Sequence, residues 1–246
     1  MANVLSNVTF KNNELLVIPE NESKVLYQDL KHNVQKLTVD LKKNSELEIM
    51  LFNSNAELKC TLAENSMLVI YNIAFVNDIY EFNLNVDLND KNANVHIINL
   101  YLGIDNSNLV SNIMINHYSK ETKSLLDTYA IAKHQSHLIL NNNAYIKNGM
   151  KNSDARQMTR GLNLSKNSSV KAQPNLLIDE YDVVASHSAC IGSIDKEELF
   201  YLMSRGLSES QAQEMVILGF IEPILGNIKS EELQQIIYRE FAKLLK

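Results

Sequence analysis

Short runs that alternate apolar and polar residues recur along the first three quarters of the chain. They read LEIML, LKCTL, LVIYNIAF, VHIINLYL, YIKN and VKA. A common phrase opens each run: Asn, then Ser or Ala, then any residue, then Leu, Val or Ile. It begins at Asn44, Asn55, Asn65, Asn92, Asn143 and Asn167. Alternation with β-branched and aromatic residues marks half-buried strands. The phrase therefore predicts a turn followed by a strand.

The spacing of the phrase narrows the architecture. The first three instances lie 10 to 11 residues apart, and the later gaps are 27, 51 and 24. Imperfect repetition at 20 to 30 residues predicts a parallel β-helix, in which coil stacks on coil. Short strands at even intervals leave a β-sandwich open as the other reading. Asparagine occupies about one position in eight, whereas Gly (7) and Pro (3) are scarce. Asn tolerates the left-handed backbone conformation of turns, so it is expected to do the turning. Asn side chains at equivalent turns are expected to stack into ladders.

After Gly192 the pattern changes. Asp195, with Glu198 three residues on, has the form of a capping box ahead of LFYLM, and Gly206 stands where a helix would stop. Ser208 with Gln211 opens a second predicted helix, through about Gly219. Ser230 opens a third, with Leu233, Ile236, Ile237, Phe241, Leu244 and Leu245 on one face. Residues 1–193 are expected to form a β core and residues 194–246 a small helical domain. The stretch DVVASHSACIG, from Asp182 to Gly192, lies at the seam.

Composition excludes several classes. Hydrophobic residues make up 45% and charged residues 21%, which is the balance of a globular protein rather than a disordered one. The net charge of −6, with basic residues scattered among acids, argues against a nucleic-acid partner. No apolar run approaches the roughly 18 residues of a membrane span. The first residues, MANVLSNVTFKNNELL, do not read as a secretory signal. The expectation is a cytoplasmic protein. Cys60 and Cys190 are the only cysteines, too few for a complete all-protein iron–sulfur or structural zinc site, which takes about four ligands. Phosphate-binding glycine motifs, HExxH and GxSxG are absent.

The remaining candidates for chemistry are few. His134 and His137 form an HxxH pair, but in strand surroundings residues three apart face opposite ways. Asp87, Asp90 and Asp105 are the carboxylates a carbohydrate-active β-helix would need to cluster. His187 and Cys190 would make a nucleophilic dyad only if a turn, with Gly192 as its candidate, brought them together.

The stretch from Ser153 to Leu225 resembles the C-terminal core of the SufB/SufD family of iron–sulfur cluster assembly proteins. The matching elements, in order, are Gln157 with LNLS, Pro174 before NLLI, Asp182-Val183, the SHxAxxG segment from Ser186 to Gly192, Asp195, and LFYLMSRG from Leu199 to Gly206. Residues 116–142 resemble the preceding coils more loosely, and the first 100 residues match only in style. The resemblance implies a right-handed parallel β-helix followed by a small C-terminal helical domain. The N-terminal helical domain usual in the family has little room here, so a shortened member is expected.

The resemblance also implies a role as a scaffold component, not an enzyme in itself. Its partners would be a SufC-type ABC ATPase and a SufB-like chain or a second copy, with neither nucleic acid nor membrane involved. Its cofactor would be an iron–sulfur cluster, held transiently and shared with a partner. The implied ATPase contacts are Phe200, Tyr201, Arg205, Gly206, Gln211 and Glu214. His187 is the implied interfacial cluster and metal ligand, and Cys190 stands where the family varies and inherits no firm role. Ser188 replaces the glutamate that follows this histidine in SufB-like chains. Ala185 replaces the cysteine of the C-S-H-G run of SufD-like chains, whereas Ser186 and His187 remain. This pattern lies nearer SufD, and it leaves a cysteine and a carboxylate for a partner to supply. The rival readings from the residues themselves are a carbohydrate-active β-helix enzyme and a purely structural solenoid.

Overall fold

The computed structural model describes residues 5–8, 10–28, 36–228 and 231–245. The chain runs through β1 (Leu5–Val8), β2 (Glu14–Ile18), β3 (Ser23–Gln28), β4 (Lys36–Leu41) and β5 (Glu46–Phe52). There follow β6 (Ala56–Leu62), β7 (Met67–Val76), β8 (Ile79–Leu88), β9 (Asn94–Gly103) and β10 (Asn108–His117). Next come β11 (Lys123–Ala132), β12 (His137–Ile146), β13 (Asp154–Asn163), β14 (Ser169–Ile178) and β15 (Val184–Ser193). Three helices close the described chain: α1 (Lys196–Ser204), α2 (Glu209–Leu225) and α3 (Glu231–Leu245).

Odd-numbered strands form one sheet and even-numbered strands the other, each in sequential order. Neighbours pair in parallel, as in β7 with β9 and β8 with β10. Each turn of the chain thus adds one strand to each sheet, which makes a β-solenoid and not a sandwich of antiparallel strands. In-register stacking turns the alternating pattern into columns: Ile70 lies on Ile97, and Ile97 on Leu126, all fully buried. Burying a side chain of this size contributes about 1.5–3 kcal/mol.

At the corners that lead from the even sheet to the odd one, Asn21, Asn44, Asn65 and Asn92 adopt φ of 56° to 61°. Their amides form the expected ladder: Asn44 Nδ2 donates to Asn21 Oδ1 at 3.0 Å, Asn65 to Asn44 at 3.0 Å, and Asn92 to Asn65 at 3.1 Å. Asn44 and Asn65 are one full coil apart, and Asn55 sits at the opposite corner, where Asn53 takes the positive φ. Two instances of the phrase depart from expectation. Asn143 lies inside β12, and Asn167 occupies the turn before β14 without a positive φ. Later corners use Asp105, Glu121, His134 and Asn152 in the left-handed conformation. The ladder stops at Asn92 because no amide stands at Glu121.

The solenoid interior is not wholly apolar. Tyr101 OH donates to Asn99 Oδ1, accepts from Asn72 Nδ2 at 2.8 Å, and meets Ser111 Oγ at 3.0 Å. Tyr80 OH donates to Asn72 Oδ1, and Asn99 Nδ2 to Thr128 Oγ1. Further along, Asn142 Nδ2 donates to Thr159 Oγ1. His117 is fully buried at the end of β10, its ring nitrogens 2.8 Å from Thr122 Oγ1 and 2.9 Å from Ser124 Oγ. Burial pushes its pKa down to about 4.

The outer face of the odd sheet explains why several strands read as apolar runs. In β9, residues from Ile97 to Gly103 are buried on both faces. Ile98, Leu100, Leu102, Tyr129 and Ile131 pack under Ile217, Ile221, Ile224, Leu225, Ile237 and Phe241 of the helices. Phe75 meets Phe241 edge-on at 5.8 Å, and Tyr71 OH donates to Asn227 O at 3.0 Å. The helices therefore fold back along the solenoid. Helix α2 runs past Gly219 and through Pro223 to Leu225, longer than expected, because that last turn buries Ile221, Ile224 and Leu225. Ser208 and Gln211 make a full capping box, whereas Asp195 caps only Glu197 N and Glu198 does not reciprocate. The expected opener of the third helix, Ser230, lies outside the described residues, as do the side chains of Leu233, Leu244 and Leu245.

Two predictions follow from the buried polar groups. Tyr101→Phe strands Asn72 Nδ2 and Asn99 Oδ1 and is expected to cost about 1–3 kcal/mol in urea unfolding. Tyr118→Phe, at a 41% exposed ring, is the control and should leave the midpoint unchanged. His117 is neutral when folded and protonates near pH 6.5 when unfolded. Stability is therefore full above about pH 6.5 and falls as pH drops toward 4, by about 3 kcal/mol in total. His117→Gln should flatten that slope, and an equally steep loss in the variant would falsify the assignment.

Candidate functional site

β14 and β15 are the last strands of their sheets, and no described strand covers their outer edges. β15 hydrogen-bonds to β13 on one side only. Natural edge strands are usually guarded by charges. β15 reads VASHSACIGS and carries no Lys, Arg, Asp or Glu. β14 carries Pro174, which is tolerated on an edge and not in mid-sheet. Around this end lie the exposed apolar side chains of Leu177, Ile178, Tyr181, Val184 and Ile191.

The register decides where each side chain of β15 points. Ala185 stacks on Ala155, His187 on Gln157, Ala189 on Thr159 and Ile191 on Gly161. Ala155, Gln157 and Thr159 are buried in the solenoid, so this column points inward. Ile191 leans into the space left by Gly161, where a Cβ would come within 2.9 Å of it. His187 therefore continues the interior column of Gln157, but no described strand follows to cover it, and it is exposed. Ser186, Ser188 and Cys190 take the other face, above Arg156, Met158 and Arg160. His187 and Cys190 are thus on opposite faces of one strand. Gly192 lies within that strand and supplies no turn, so the two form no dyad.

The corner before β15 is built around Glu180. Its carboxylate accepts from the backbone N–H of Gly149 at 2.8 Å, Tyr181 at 2.9 Å and Asp182 at 3.1 Å. The Asp182 and Gly149 amides hold its pKa below the usual carboxylate range. These bonds tie the last corner to the one beneath it.

The other cysteine is chemically quiet. Cys60 is fully buried, and burial pushes its thiol up to about 12. Cys190 is a free, exposed thiol. Among the described residues no three His, Cys, Asp or Glu side chains converge on a metal-sized site. His134 sits in a turn beside Asp105, at 3.3 Å, and His137 opens β12 against Ser169. Asp87, on β8, accepts from Asn85 and Asn116. Asp90 and Asp105 lie in corners at opposite ends of the strands, so the three carboxylates do not cluster. A glycosidase site finds no support in them.

On the helices, Phe200 is 73% and Tyr201 56% exposed, and Met203 on α1 and Met215 on α2 are exposed too. Leu199 and Leu202 are half-buried. The Arg205 guanidinium lies over the Tyr201 ring at 5.5 Å and donates to its hydroxyl at 3.2 Å. Gly206 follows with φ of 98°, the left-handed conformation that ends a helix. Gln211 uses its side chain in the cap of α2. Glu214 is half-buried and lines a cleft of about 170 Å³ with Lys133, Ser165, Ser210 and Gln213, between α2 and the solenoid corners. The register of β15, which sequence reasoning lacked, separates the inward from the outward candidates.

Comparison with known proteins agrees with this geometry. Residues 11–220 match the family model described as SUF system FeS cluster assembly, SufBD core domain. The chain is 34% identical over 119 residues to the iron–sulfur cluster assembly protein SufD of Bacillus subtilis, covering 48% of this chain and 27% of that protein. It is 25% identical over 174 residues to SufD of Escherichia coli, covering 71% of this chain and 41% of that protein. A SufBD family protein of Pyrococcus horikoshii is 47% identical over 79 residues, 30% of this chain and 17% of that protein. The match spans less than half the length of each of these relatives. With a parallel solenoid, a C-terminal helical cover and a family match over most of its length, this chain belongs to the SufBD family of the SUF iron–sulfur cluster assembly system.

Proposed function

We propose that the chain is a SufD-like scaffold component of a cytoplasmic SUF assembly complex and does no catalysis of its own. The observation that carries this reading is the uncovered, uncharged edge of β15 with His187 exposed on it. An edge of unpaired N–H and C=O groups is a template for another chain. Its apolar rim fits a SufB-like partner or a second copy.

In that reading the iron–sulfur cluster is cargo, assembled transiently at the seam. Neutral imidazole is a good iron ligand, and the His187 ring has no hydrogen-bond partner among the described residues. One histidine is far short of the four or so ligands a cluster takes. A cysteine and a carboxylate from the partner would complete the set, where this chain has Ala185 and Ser188 instead. Cys190, on the outer face of β15, is placed to meet a different part of the partner.

The second surface in this reading is the exposed aromatic patch on α1. Phe200, Tyr201 and Arg205 present apolar area with a charged tip, the composition that anchors interfaces. Gly206 and Gln211 lie where the chain turns into α2, and Glu214, further along α2, lines the cleft toward the solenoid corners. A SufC-type ATPase is the proposed occupant.

Two outcomes are expected. Co-expressed with SufB-like and SufC-like partners, the chain is retained on the tagged ATPase, and Phe200→Ala with Tyr201→Ala loses most of that retention. No retention of the unaltered chain in the full three-component set would reject the docking role. His187→Ala lowers cluster yield severalfold in anaerobic iron and sulfide reconstitution of the complex, read by absorption. Its unfolding midpoint should move by no more than about 0.5 kcal/mol, as for other surface changes. Full yield from the folded variant would remove His187 from the site and favour a purely architectural solenoid.

A further inference from the structure

We propose that Asn148 is a deamidation site, held silent by the last corner of the solenoid. Asn148-Gly149 is the one Asn-Gly pair in the chain. A glycine after asparagine leaves the path to the side-chain carbonyl carbon unobstructed. The Gly149 nitrogen attacks that carbon and a new C–N bond forms. The bond to the side-chain nitrogen breaks, and ammonia leaves with the proton that Gly149 gives up. Water then opens the resulting succinimide at either carbonyl. The net change is amide plus water to carboxylate plus ammonium, with aspartate or isoaspartate as product.

Both atoms this reaction needs are engaged in the folded chain. The attacking nitrogen of Gly149 donates to Glu180 Oε2 at 2.8 Å. The leaving nitrogen, Asn148 Nδ2, donates to Asp179 O at 2.9 Å. The reacting pair belongs to the β12–β13 corner, and both locks belong to the β14–β15 corner stacked on it. Gly149 has a φ of 86° with open space around its Cα, so steric crowding by neighbours offers no protection. Protection comes from the two hydrogen bonds, and those depend on the outermost corner staying docked.

The consequence runs one way. When the last coil lifts, both locks open together and the amide becomes reactive. After reaction, a carboxylate replaces the donor opposite the Asp179 carbonyl, and acceptor then faces acceptor. Redocking loses a hydrogen bond and gains a repulsion. Asn148 thus records fraying of the same end that carries β15. This inference does not rest on the proposed scaffold role.

The test is mass spectrometry of the Asn148 peptide, recovered from the full chain after timed incubation at mildly alkaline pH. The same peptide, free in solution, runs alongside. The folded chain is expected to react at least about tenfold more slowly than the free peptide, equivalent to about 1.4 kcal/mol of barrier. Glu180→Ala should approach the peptide rate. Glu180→Gln, which keeps an acceptor oxygen but not the charge, should fall between. Hydrogen exchange on β9 to β13 checks that the variants keep the solenoid. If Glu180→Ala does not fold, the Gln variant and the peptide comparison decide. A folded wild-type chain that reacts as fast as the peptide overturns the proposal. So do folded Glu180 variants that both react at the wild-type rate.

Discussion

The backbone hydrogen bonds between coils are what every other feature of this molecule depends on. In a parallel solenoid each strand satisfies its neighbour below and is satisfied by the one above. That requirement sets the in-register columns, because a coil that slipped by one residue would turn its apolar side chains outward. It sets the corners too, since each must return the chain to the same height in the stack. Asn21, Asn44, Asn65 and Asn92 do so with a left-handed backbone that most residues with a Cβ avoid, and their amides repeat the coil-to-coil bonding at the side-chain level. The same requirement is not met by any described strand at the last coil, where β14 and β15 each have an unpaired outer side.

The two ends of the middle odd strands carry different tasks. Toward the Asn corners the outer face of β9, β11 and β13 bears ionisable pairs, with His96 Nε2 2.9 Å from Asp127 Oδ2 and Arg156 forked onto Asp154. Toward the other corners it is apolar and lies under α2 and α3. The helical segment is thus bound to the solenoid by a shared core of Ile, Leu and Phe. α1 follows β15 directly in the chain, with two residues between them, so the exposed aromatic patch and the uncovered edge are neighbours in sequence.

Several polar groups inside the solenoid are satisfied by one another. Tyr101, Asn72, Asn99 and Ser111 bond across three coils, and a slip of register would leave them unpaired in an apolar interior at about 1–3 kcal/mol each. They enforce one stacking arrangement where columns of Leu and Ile alone would accept several. His117 belongs to the same logic, its neutral ring fitted between two hydroxyls.

Much of this was legible in the residues. The alternation from Glu46 onward, the recurring Asn phrase and the change after Gly192 were enough for strands, turns, a stacked repeat and a helical tail, because side-chain period and turn chemistry are local properties. The opposite facing of His187 and Cys190 followed from strand geometry alone. The sequence did not reveal that Asn143 lies inside a strand, nor that α2 continues through Pro223, because burial of neighbouring apolar side chains overrides local preference in both places. The Ser208–Gln211 cap was legible, but the sequence did not reveal that Glu214 lines the cleft against the solenoid corners. Which residues of β15 point inward, and that no described strand covers them, depends on pairing with β13, a partner some 30 residues earlier in the chain. The sequence by itself determined the repeat and its turns. Only the tertiary structure decided which strand comes last, since an edge is a property of the stack and not of any segment in it.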